Sequence, residues 1–238
     1  MISVQAALDA LFALVQKPNV ETVDLTKAMG RVLARPIKAS RDQPPFDAAA
    51  MDGYAIAQPA AKRGDSYQVI GEAVAGRRFE GDLTPDTAVR IFTGAPVPAG
   101  TSAIIIQENA IRIADRIELS EDPNAQSHIR PAGNDFKTGS CLDAPKRLNS
   151  ADIALLASMN MTQIPVYKRP TIALLSTGDE LVMPGEQPGQ NQILASNTYG
   201  LAALLNSHGA DCRILPIARD TRASLKATFA LAAGSDIV

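Results

Sequence analysis

Apolar residues near the N-terminus recur every three or four positions from Ser3 to Gln16, which is the spacing of one face of an α-helix. We predict an amphipathic helix over this range, with Ser3 as its N-cap and Pro18 beyond its end. A second short helix is predicted over Asp24–Met29, and the chain from Arg31 to Ser40 is predicted to be extended.

The pattern changes after residue 40, where glycine and proline become dense and the apolar runs become short. Short apolar runs divided by turn residues predict strands, so residues 41–137 are expected to form an all-β module. The runs are Tyr67–Ile70, Ala88–Phe92, Ala103–Ile106, Ile111–Ile113 and Ile117–Leu119.

Helical spacing returns over Asn149–Met159, and Thr162–Val166 is predicted to be a strand. Residues 1–40 and 138–168 would then form a small, discontinuous α+β linker domain, into which the Gly/Pro-rich β module is inserted. The first helix is a candidate for packing on the domain that follows.

Residues 169–238 alternate between strands and helices. We predict strands over Thr171–Leu175 and Asp211–Ile217, and helices over Thr198–His208 and Arg222–Ala232. Such βαβ units build a parallel sheet. Residues 236–238 would begin a third strand, so we expect this α/β domain, and the sequence itself, to be incomplete.

Composition excludes several classes of function. The net charge is −2, and the 23 basic and 25 acidic residues form no long run of either sign. The sequence therefore predicts no positively charged surface that would bind nucleic acid or an anionic membrane. Cys141 and Cys212 are far apart, so neither a disulfide framework nor a zinc site is predicted, and both are expected to be small buried hydrophobes. No signal peptide or membrane span is indicated, and a cytoplasmic location fits best.

Candidate chemistry in the α/β domain lies where its strands end. Ser176–Glu180 follows the first strand, at the edge where open α/β sheets bind ligands, and its carboxylates suit a metal or a polar substrate. Ser196–Asn197 opens the next helix, where backbone N–H groups favour an anion, and Asp220–Thr221 follows the second strand. Taken singly, each segment is also explained as a turn with solvated acids or as an ordinary N-cap.

A second group of candidates lies in the β module, within Pro44–Ala55 and Ile91–Gly100. Polar residues bracketed by glycine and proline sit on stiff loops, which is how a scaffold presents side chains to a ligand. Spacing alone equally allows Asp52-Gly53 and Thr93-Gly94 to be plain turns between strands.

Several ordered segments of the chain resemble the signature segments of the molybdopterin molybdenumtransferase family, of the MoeA type in bacteria and the gephyrin E-domain type in animals. These segments are Pro44–Ala55, Ile91–Gly100, Ile129–Phe136, Leu155–Ser158, Pro170–Leu181 and Ile193–Tyr199. The resemblance implies a three-layer, molybdopterin-binding-like α/β domain. It also implies a homodimer, whose cleft joins the α/β domain of one subunit to the β module of the other.

The resemblance further implies a transferase in molybdenum cofactor biosynthesis. Its substrates would be molybdate and adenylylated molybdopterin, supplied by a molybdopterin adenylyltransferase upstream, and the adenylate would be hydrolysed with Mg²⁺ present. Glu180 and Asp220 would supply carboxylates to that ion. The residues expected to contact substrate are Arg130, Thr177, Gly178, Asp179, Ser196, Asn197 and Asp220.

Catalytic roles would fall to Asp52, Thr93, Asp135 and Glu180. Thr93 would donate hydrogen bonds to the oxyanion, Asp52 and Asp135 would orient metal or water, and Arg130 would grip phosphate or molybdate. No protein nucleophile is required, because the metal is received by the thiolates of the pterin.

The sequence departs from the family pattern at three places. Ala48-Ala49 replaces Asn-Ser, Ala195 replaces an aspartate, and a Gly-Gly-x-Ser-x-Gly segment expected after Val238 is missing. We therefore expect little or no transferase activity from these 238 residues alone. Two other functions stay open at this point, a scaffold of the gephyrin E-domain type and a molybdopterin adenylyltransferase-like pterin-binding protein, and so does tungstate in place of molybdate.

Overall fold

A computed structural model describes residues 2–15, 18–123 and 127–238, so Gln16, the predicted last residue of the first helix, lies outside the described residues. The helices are α1 (Val4–Ala13), α2 (Ser150–Ser158), α3 (Ser196–Ser207) and α4 (Arg222–Leu231). The strands are β1 (Val20–Asp24), β2 (Val32–Leu33), β3 (Ile37–Lys38), β4 (Ala48–Ala49), β5 (Gly53–Ile56), β6 (Ser66–Ala73), β7 (Thr87–Ile91), β8 (Ala103–Ile106), β9 (Ala110–Ile113), β10 (Arg116–Leu119), β11 (Ile129–Arg130), β12 (Cys141–Leu142), β13 (Lys146–Arg147), β14 (Gln163–Tyr167), β15 (Thr171–Leu174), β16 (Leu181–Val182), β17 (Ile193–Leu194) and β18 (Asp211–Ile214).

The chain folds into two compact units. The inserted unit is Ile37–Leu142, and the discontinuous unit combines Met1–Pro36 with Asp143–Val238. The inserted unit begins earlier and ends later than the predicted β module, because β3 pairs with β12 and closes its two ends.

A six-stranded sheet in the order β8-β5-β7-β6-β10-β9 forms most of the inserted unit. Four of the five predicted apolar runs lie wholly in its strands, and the fifth, Ala88–Phe92, lies in β7 except for Phe92. The sheet also contains β5, which was not predicted and which pairs antiparallel with both β7 and β8. Its two sides carry separate cores, one around Val89 and Ile104 and the other around Ile56, Tyr67 and Ile117.

The linker part of the discontinuous unit is a four-stranded sheet in the order β1-β14-β2-β13. Helix α2 lies where it was predicted and begins with a capping box, in which Asn149 and Asp152 exchange side-chain and backbone hydrogen bonds. The predicted helix over Asp24–Met29 is wrong: Asp24 ends β1, and only Leu25–Lys27 form a 3₁₀ turn, because the chain at Asp24 is held in the strand by its pairing with Gln163.

Helix α1 begins at its predicted N-cap, where Ser3 Oγ accepts a hydrogen bond from the Ala6 amide at 3.2 Å. It ends at Ala13 rather than at Gln16. None of its residues is buried, and Phe12 is 69% exposed, so packing of α1 on the α/β domain stays a prediction.

The α/β part has the predicted parallel pairing, between β15 and β18. Ile237 forms a parallel bridge on the other side of β15, which confirms the beginning of a third strand. The strand predicted to reach Ile217 ends at Ile214, and α3 begins two residues earlier than predicted, at Ser196.

Cys141 is exposed and Cys212 is half-buried, so the expectation that both are buried is wrong; each lies in a short strand near the edge of its sheet. Across the described parts of the chain, no helix is both long and apolar enough to cross a membrane.

Candidate functional site

The loops that follow β15 and β18 meet at the carboxyl end of the parallel sheet. Thr177 and Ala218 form a parallel bridge, and the Gly178 amide donates to the Ala218 carbonyl oxygen at 3.1 Å. These bonds continue the sheet beyond its regular strands. They place the segment 177–180 beside the segment 218–220, as expected for parallel strands that end at one edge.

Two carboxylates of these loops lie against backbone. Gly178 has a φ of +144°, and a Cβ atom there would lie 2.4 Å from Glu180 Oε2, so the carboxylate of Glu180 occupies the space that a side chain would need. Asp179 Oδ1 accepts a hydrogen bond from the Asp220 amide at 3.4 Å. The side chain of Arg219 donates to the Asp179 carbonyl at 2.9 Å and locks the two loops together.

The amino end of α3 reaches the same edge. Ser176 and Thr198 share a hydroxyl-to-hydroxyl hydrogen bond, which ties the first turn of α3 to the loop after β15. The N-cap of α3 is Ala195, which makes no side-chain capping bond. Its first-turn amides are therefore left for solvent or an anion. The structure thus brings together all the site residues predicted for this part: Thr177, Gly178, Asp179, Glu180, Ser196, Asn197 and Asp220.

In the inserted unit, Asp52 and Thr93 are in direct contact. Asp52 Oδ1 accepts two hydrogen bonds from Thr93, from the amide at 2.8 Å and from the hydroxyl at 2.7 Å. The backbone bond and the hydroxyl bond from Thr93 lower the pKa of Asp52 against the opposing effect of burial, and the positive charge of Arg90 adds a smaller lowering effect. Asp52 is therefore held as a carboxylate, and among the described residues its Oδ2 atom has no donor.

Arg130 and Asp135 form the second pair of the inserted unit, an ion pair between half-exposed side chains. The short strand β4 lies between the two pairs. Ala48 pairs with Arg130 in β11, while Ala49 exchanges backbone hydrogen bonds with Gly94 and Ala95, next to Thr93. The backbone of β4 therefore positions both loops, although alanines replace the polar residues expected there.

Sequence reasoning missed two functional candidates in the inserted unit. Asp47 Oδ1 accepts a hydrogen bond from the Ala132 amide at 2.8 Å and so fixes the loop between Arg130 and Asp135. Arg90 stacks between the rings of Tyr54 and Phe92. Asp47 lies inside the signature segment Pro44–Ala55, so it could have been chosen as a candidate from the sequence. Nothing in the sequence distinguishes Arg90 from the other basic residues.

Metal-ligating side chains do not gather in threes: no cluster of three or more histidine, cysteine or acidic residues occurs in 2–15, 18–123 and 127–238. The paired loops at the sheet edge carry three carboxylates, Asp179, Glu180 and Asp220, which do not form such a cluster. An ion held here would need further oxygen ligands from water or substrate.

An inserted β-rich unit and a part with parallel strands, whose edge carries acids and uncapped amides, define a multidomain protein of mixed α/β class. Residues 2–160 match the family model for the MoeA N-terminal region (domain I and II). The chain belongs to this family.

Curated relatives agree with the family match. The chain is 36% identical over 249 residues to a molybdopterin molybdenumtransferase of Nostoc sp., a match that covers all of this chain and 57% of the relative. It is 33% identical over 211 residues to the Haemophilus influenzae molybdopterin molybdenumtransferase, covering 88% of this chain and 52% of the relative. The chain thus spans about half the length of the curated relatives it matches.

Solved structures support the same fold. A crystal structure of the molybdopterin biosynthesis MoeA protein from Pyrococcus horikosii superposes with a TM-score of 0.87 at 29% identity, covering 100% of this chain and 63% of that one. A second crystal structure of the MoeA protein, from Pyrococcus horikoshii OT3, gives 0.75 at 30% identity, covering 98% and 63%. The mixed α/β, sheet-rich fold is therefore that of a MoeA protein.

Proposed function

We propose that this chain provides the substrate-holding part of a molybdopterin molybdenumtransferase, which inserts molybdate into adenylylated molybdopterin and hydrolyses the adenylate. The observation that carries the proposal is the edge of the parallel sheet, where Glu180 and Asp220 lie on two interlocked loops beside the uncapped first turn of α3. Acids next to free amides suit a ligand that carries both a phosphate chain and a cation.

Magnesium fits these residues. Mg²⁺ is bound in proteins by one or two carboxylates together with waters and substrate phosphate oxygens. Glu180 and Asp220 are both exposed, and no described residue donates a hydrogen bond to either carboxylate, so both are available as ligands. When bound, the ion would supply positive charge that neutralises the phosphate oxygens during hydrolysis.

The chain's own residues would bind and orient the substrate. The amides at the start of α3, at Ser196 and Asn197, would donate to phosphate oxygens, and the loop Thr177–Asp179 would hold the chain of phosphates against the sheet edge. Hydrolysis adds a water oxygen to phosphorus and breaks the bond from phosphorus to the bridging oxygen, so AMP leaves. No covalent bond to the protein is formed.

The residues of the inserted unit would act on the reacting oxyanion. Thr93 would hold Asp52 rather than donate to the oxyanion as predicted, because its amide and its hydroxyl both donate to Asp52 Oδ1. Asp52 would orient water through its open Oδ2 atom, and Arg130 would bind phosphate or molybdate with the donors that Asp135 does not use. Asp135 would hold the guanidinium in place. Molybdate and tungstate carry the same charge and nearly the same size, and these contacts would not separate them.

The proposal includes further parts that the family suggests. The complete protein would be a cytoplasmic homodimer, in which the two sets of residues come from different subunits, and a molybdopterin adenylyltransferase would supply its substrate. Its α/β domain would be a three-layer, molybdopterin-binding-like domain. The 238 residues alone are expected to bind substrate and to turn it over weakly or not at all.

Equilibrium binding of adenylylated molybdopterin, with and without Mg²⁺, tests the proposal on the chain itself. Glu180→Gln and Asp220→Asn should each weaken Mg²⁺-dependent binding by about tenfold or more, because a charged contact is worth about 1.5–3 kcal/mol. Asp211→Asn is the matched control, since Asp211 is an exposed aspartate at the opposite end of the same strand that precedes Asp220. AMP release measured in parallel reports turnover.

Equal affinity of all four proteins in the presence of Mg²⁺ would contradict the proposal. So would binding by the unaltered chain that is unchanged when Mg²⁺ is removed.

A further inference from the structure

The kind of contact that joins Asp52 and Thr93 occurs three times among the residues that the structure describes. In each, a threonine amide and its hydroxyl both donate to the same aspartate oxygen; the pairs are Asp52–Thr93, Asp42–Thr138 and Asp236–Thr171. The last two join loop ends and have an evident structural use. The aspartate–threonine geometry by itself therefore does not mark Asp52 as special.

The three pairs differ in how firmly the nearest cation is held. A positive charge acts on each of the three aspartates, from Arg90, Lys137 and Lys168 respectively. Within the described residues, neither lysine ammonium group makes a hydrogen bond or ion pair. Arg90, in contrast, is held on several sides, so its charge has a fixed position.

Four contacts hold the guanidinium of Arg90. Its central carbon lies 4.9 Å from the ring centre of Tyr54 and 4.8 Å from that of Phe92, as in a cation–π sandwich. One nitrogen donates to Gln107 Oε1 at 2.7 Å, and another lies 3.4 Å from the Gly53 carbonyl oxygen. Tyr54 is the direct cross-strand partner of Arg90, so the register of β5 and β7 sets this stack.

The same contacts reach the backbone of Asp52. The Gln107 amide donates to the Asp52 carbonyl oxygen at 3.0 Å, while the Gln107 side chain binds Arg90. Glu108, which accepts a hydrogen bond from the Gln107 side chain, is the other charged group in this network. Asp52 is thus fixed at its carboxylate by Thr93 and at its carbonyl by Gln107, while Arg90 binds Gln107 and stacks on Phe92, the residue that precedes Thr93.

We propose that Arg90 is a positioning residue for Asp52: held between Tyr54 and Phe92 and anchored by Gln107, it keeps the Asp52–Thr93 pair in one geometry. The catalytic use of that pair rests on the proposed function above. The positioning itself does not, because it concerns contacts within this chain.

The test is the titration of Asp52 in the 238-residue chain, followed by NMR. The amide shift of Thr93 reports the ionisation of Asp52, because that amide donates to Asp52 Oδ1, and the amide of Thr138 reports Asp42 in the same sample as an internal reference. The variants are Arg90→Gln and Arg90→Lys. Arg116→Gln is the matched control, since Arg116 lies in the same sheet and its side chain, as far as the described residues go, hydrogen-bonds to Ser66 alone.

Arg90→Gln should move the Thr93 midpoint to higher pH and leave the Thr138 midpoint unchanged. Arg90→Lys should give a smaller rise, because its charge remains but is no longer held by stacking and by Gln107. Arg116→Gln should move neither midpoint. A residue that only stabilised the sheet would lower the melting temperature without moving the Thr93 midpoint relative to Thr138, and that result would overturn the proposal.

A variant that fails to fold does not end the test. Gln107→Ala removes the anchor of Arg90 while keeping its charge and both rings, and it should also raise the pH midpoint of the Thr93 amide shift. If neither Gln107→Ala nor Arg90→Lys raises that midpoint, the proposal is wrong. No substrate enters this measurement. A failure of substrate binding would therefore count against the proposed function and not against the role of Arg90. An unchanged Thr93 midpoint would count against the role of Arg90 and not against the proposed function.

Discussion

Replacing Gly53 with alanine would test whether the inserted unit depends on the close approach of β5 and β8. A Cβ atom at Gly53 would lie 1.9 Å from the Ile105 carbonyl oxygen and 2.8 Å from its carbonyl carbon. Both are backbone atoms of the neighbouring strand, so no side-chain rotation relieves the overlap. Normal contact at 3.4 Å or more requires the strands to separate locally by about 1.5 Å.

The cost follows from where this separation occurs. Strand β5 pairs on both sides, so moving it away from β8 either lengthens ladder hydrogen bonds or pushes it against β7. Overpacking of this kind costs about 1–3 kcal/mol, and each weakened hydrogen bond adds about 1 kcal/mol. We expect Gly53→Ala to destabilise the inserted unit by about 3 kcal/mol, a drop in its melting temperature of roughly 10–20 °C for a unit of this size.

Calorimetry on the purified chain would measure this, with Gly200→Ala as the control. Gly200 lies inside α3, and nothing stands within 4 Å of the position where its Cβ would be. The same substitution should therefore stabilise the protein there by about 0.5–1 kcal/mol. If Gly53→Ala melted within about 2 °C of the unaltered protein and kept the hydrogen-exchange protection of Ile105, the steric argument would be refuted.

Two more predictions concern other carboxylates. Asp152→Ala should lower the free energy of unfolding by about 1–3 kcal/mol in a urea titration. The reason is that Asp152 is nearly buried, accepts a hydrogen bond from the Asn149 amide at 3.0 Å and binds Lys146 at 2.6 Å. An unchanged urea midpoint would contradict this. Asp42 has its pKa lowered by the Thr138 backbone and hydroxyl bonds, so its contribution to stability is present above the ordinary carboxyl pKa and is lost as the pH falls through the lowered value. Thr138→Val, which keeps the amide donor but loses the hydroxyl, should reduce the acid dependence of the melting temperature, and an identical pH profile would argue against this pair.

Much of the fold was predictable because its signals are local. Helix α2 has an N-cap and a helical period within ten residues, and the sheet strands in the inserted unit begin as apolar runs between turn residues. The misassigned stretch Asp24–Met29 shows the limit. Its sequence allows a helix, but pairing with a strand that lies far along the chain decides the outcome, and tertiary contacts of this kind override local preference.

Strand β5 was missed for a related reason. Gly53–Ile56 is short and starts with a glycine, and such a segment resembles a turn when it is considered alone. The glycine is nevertheless part of the strand, because its missing side chain lets β5 approach β8. A residue type that predicts a turn locally can thus permit close packing of strands in the fold.

The candidate site divides in the same way. Residues such as Glu180 and Asp220 could be found from the sequence, because parallel strands that alternate with helices must end at a common edge, and whatever follows those strands meets there. Arg90 could not be found in this way. Its partners Tyr54 and Gln107 are fixed by the register of β5 against β7 and β8, and a shift of one residue in that register would turn Arg90 to the other face of the sheet. Motifs therefore identify the loops of the candidate site, whereas the residues that hold those loops in place become visible only when strand pairing is known.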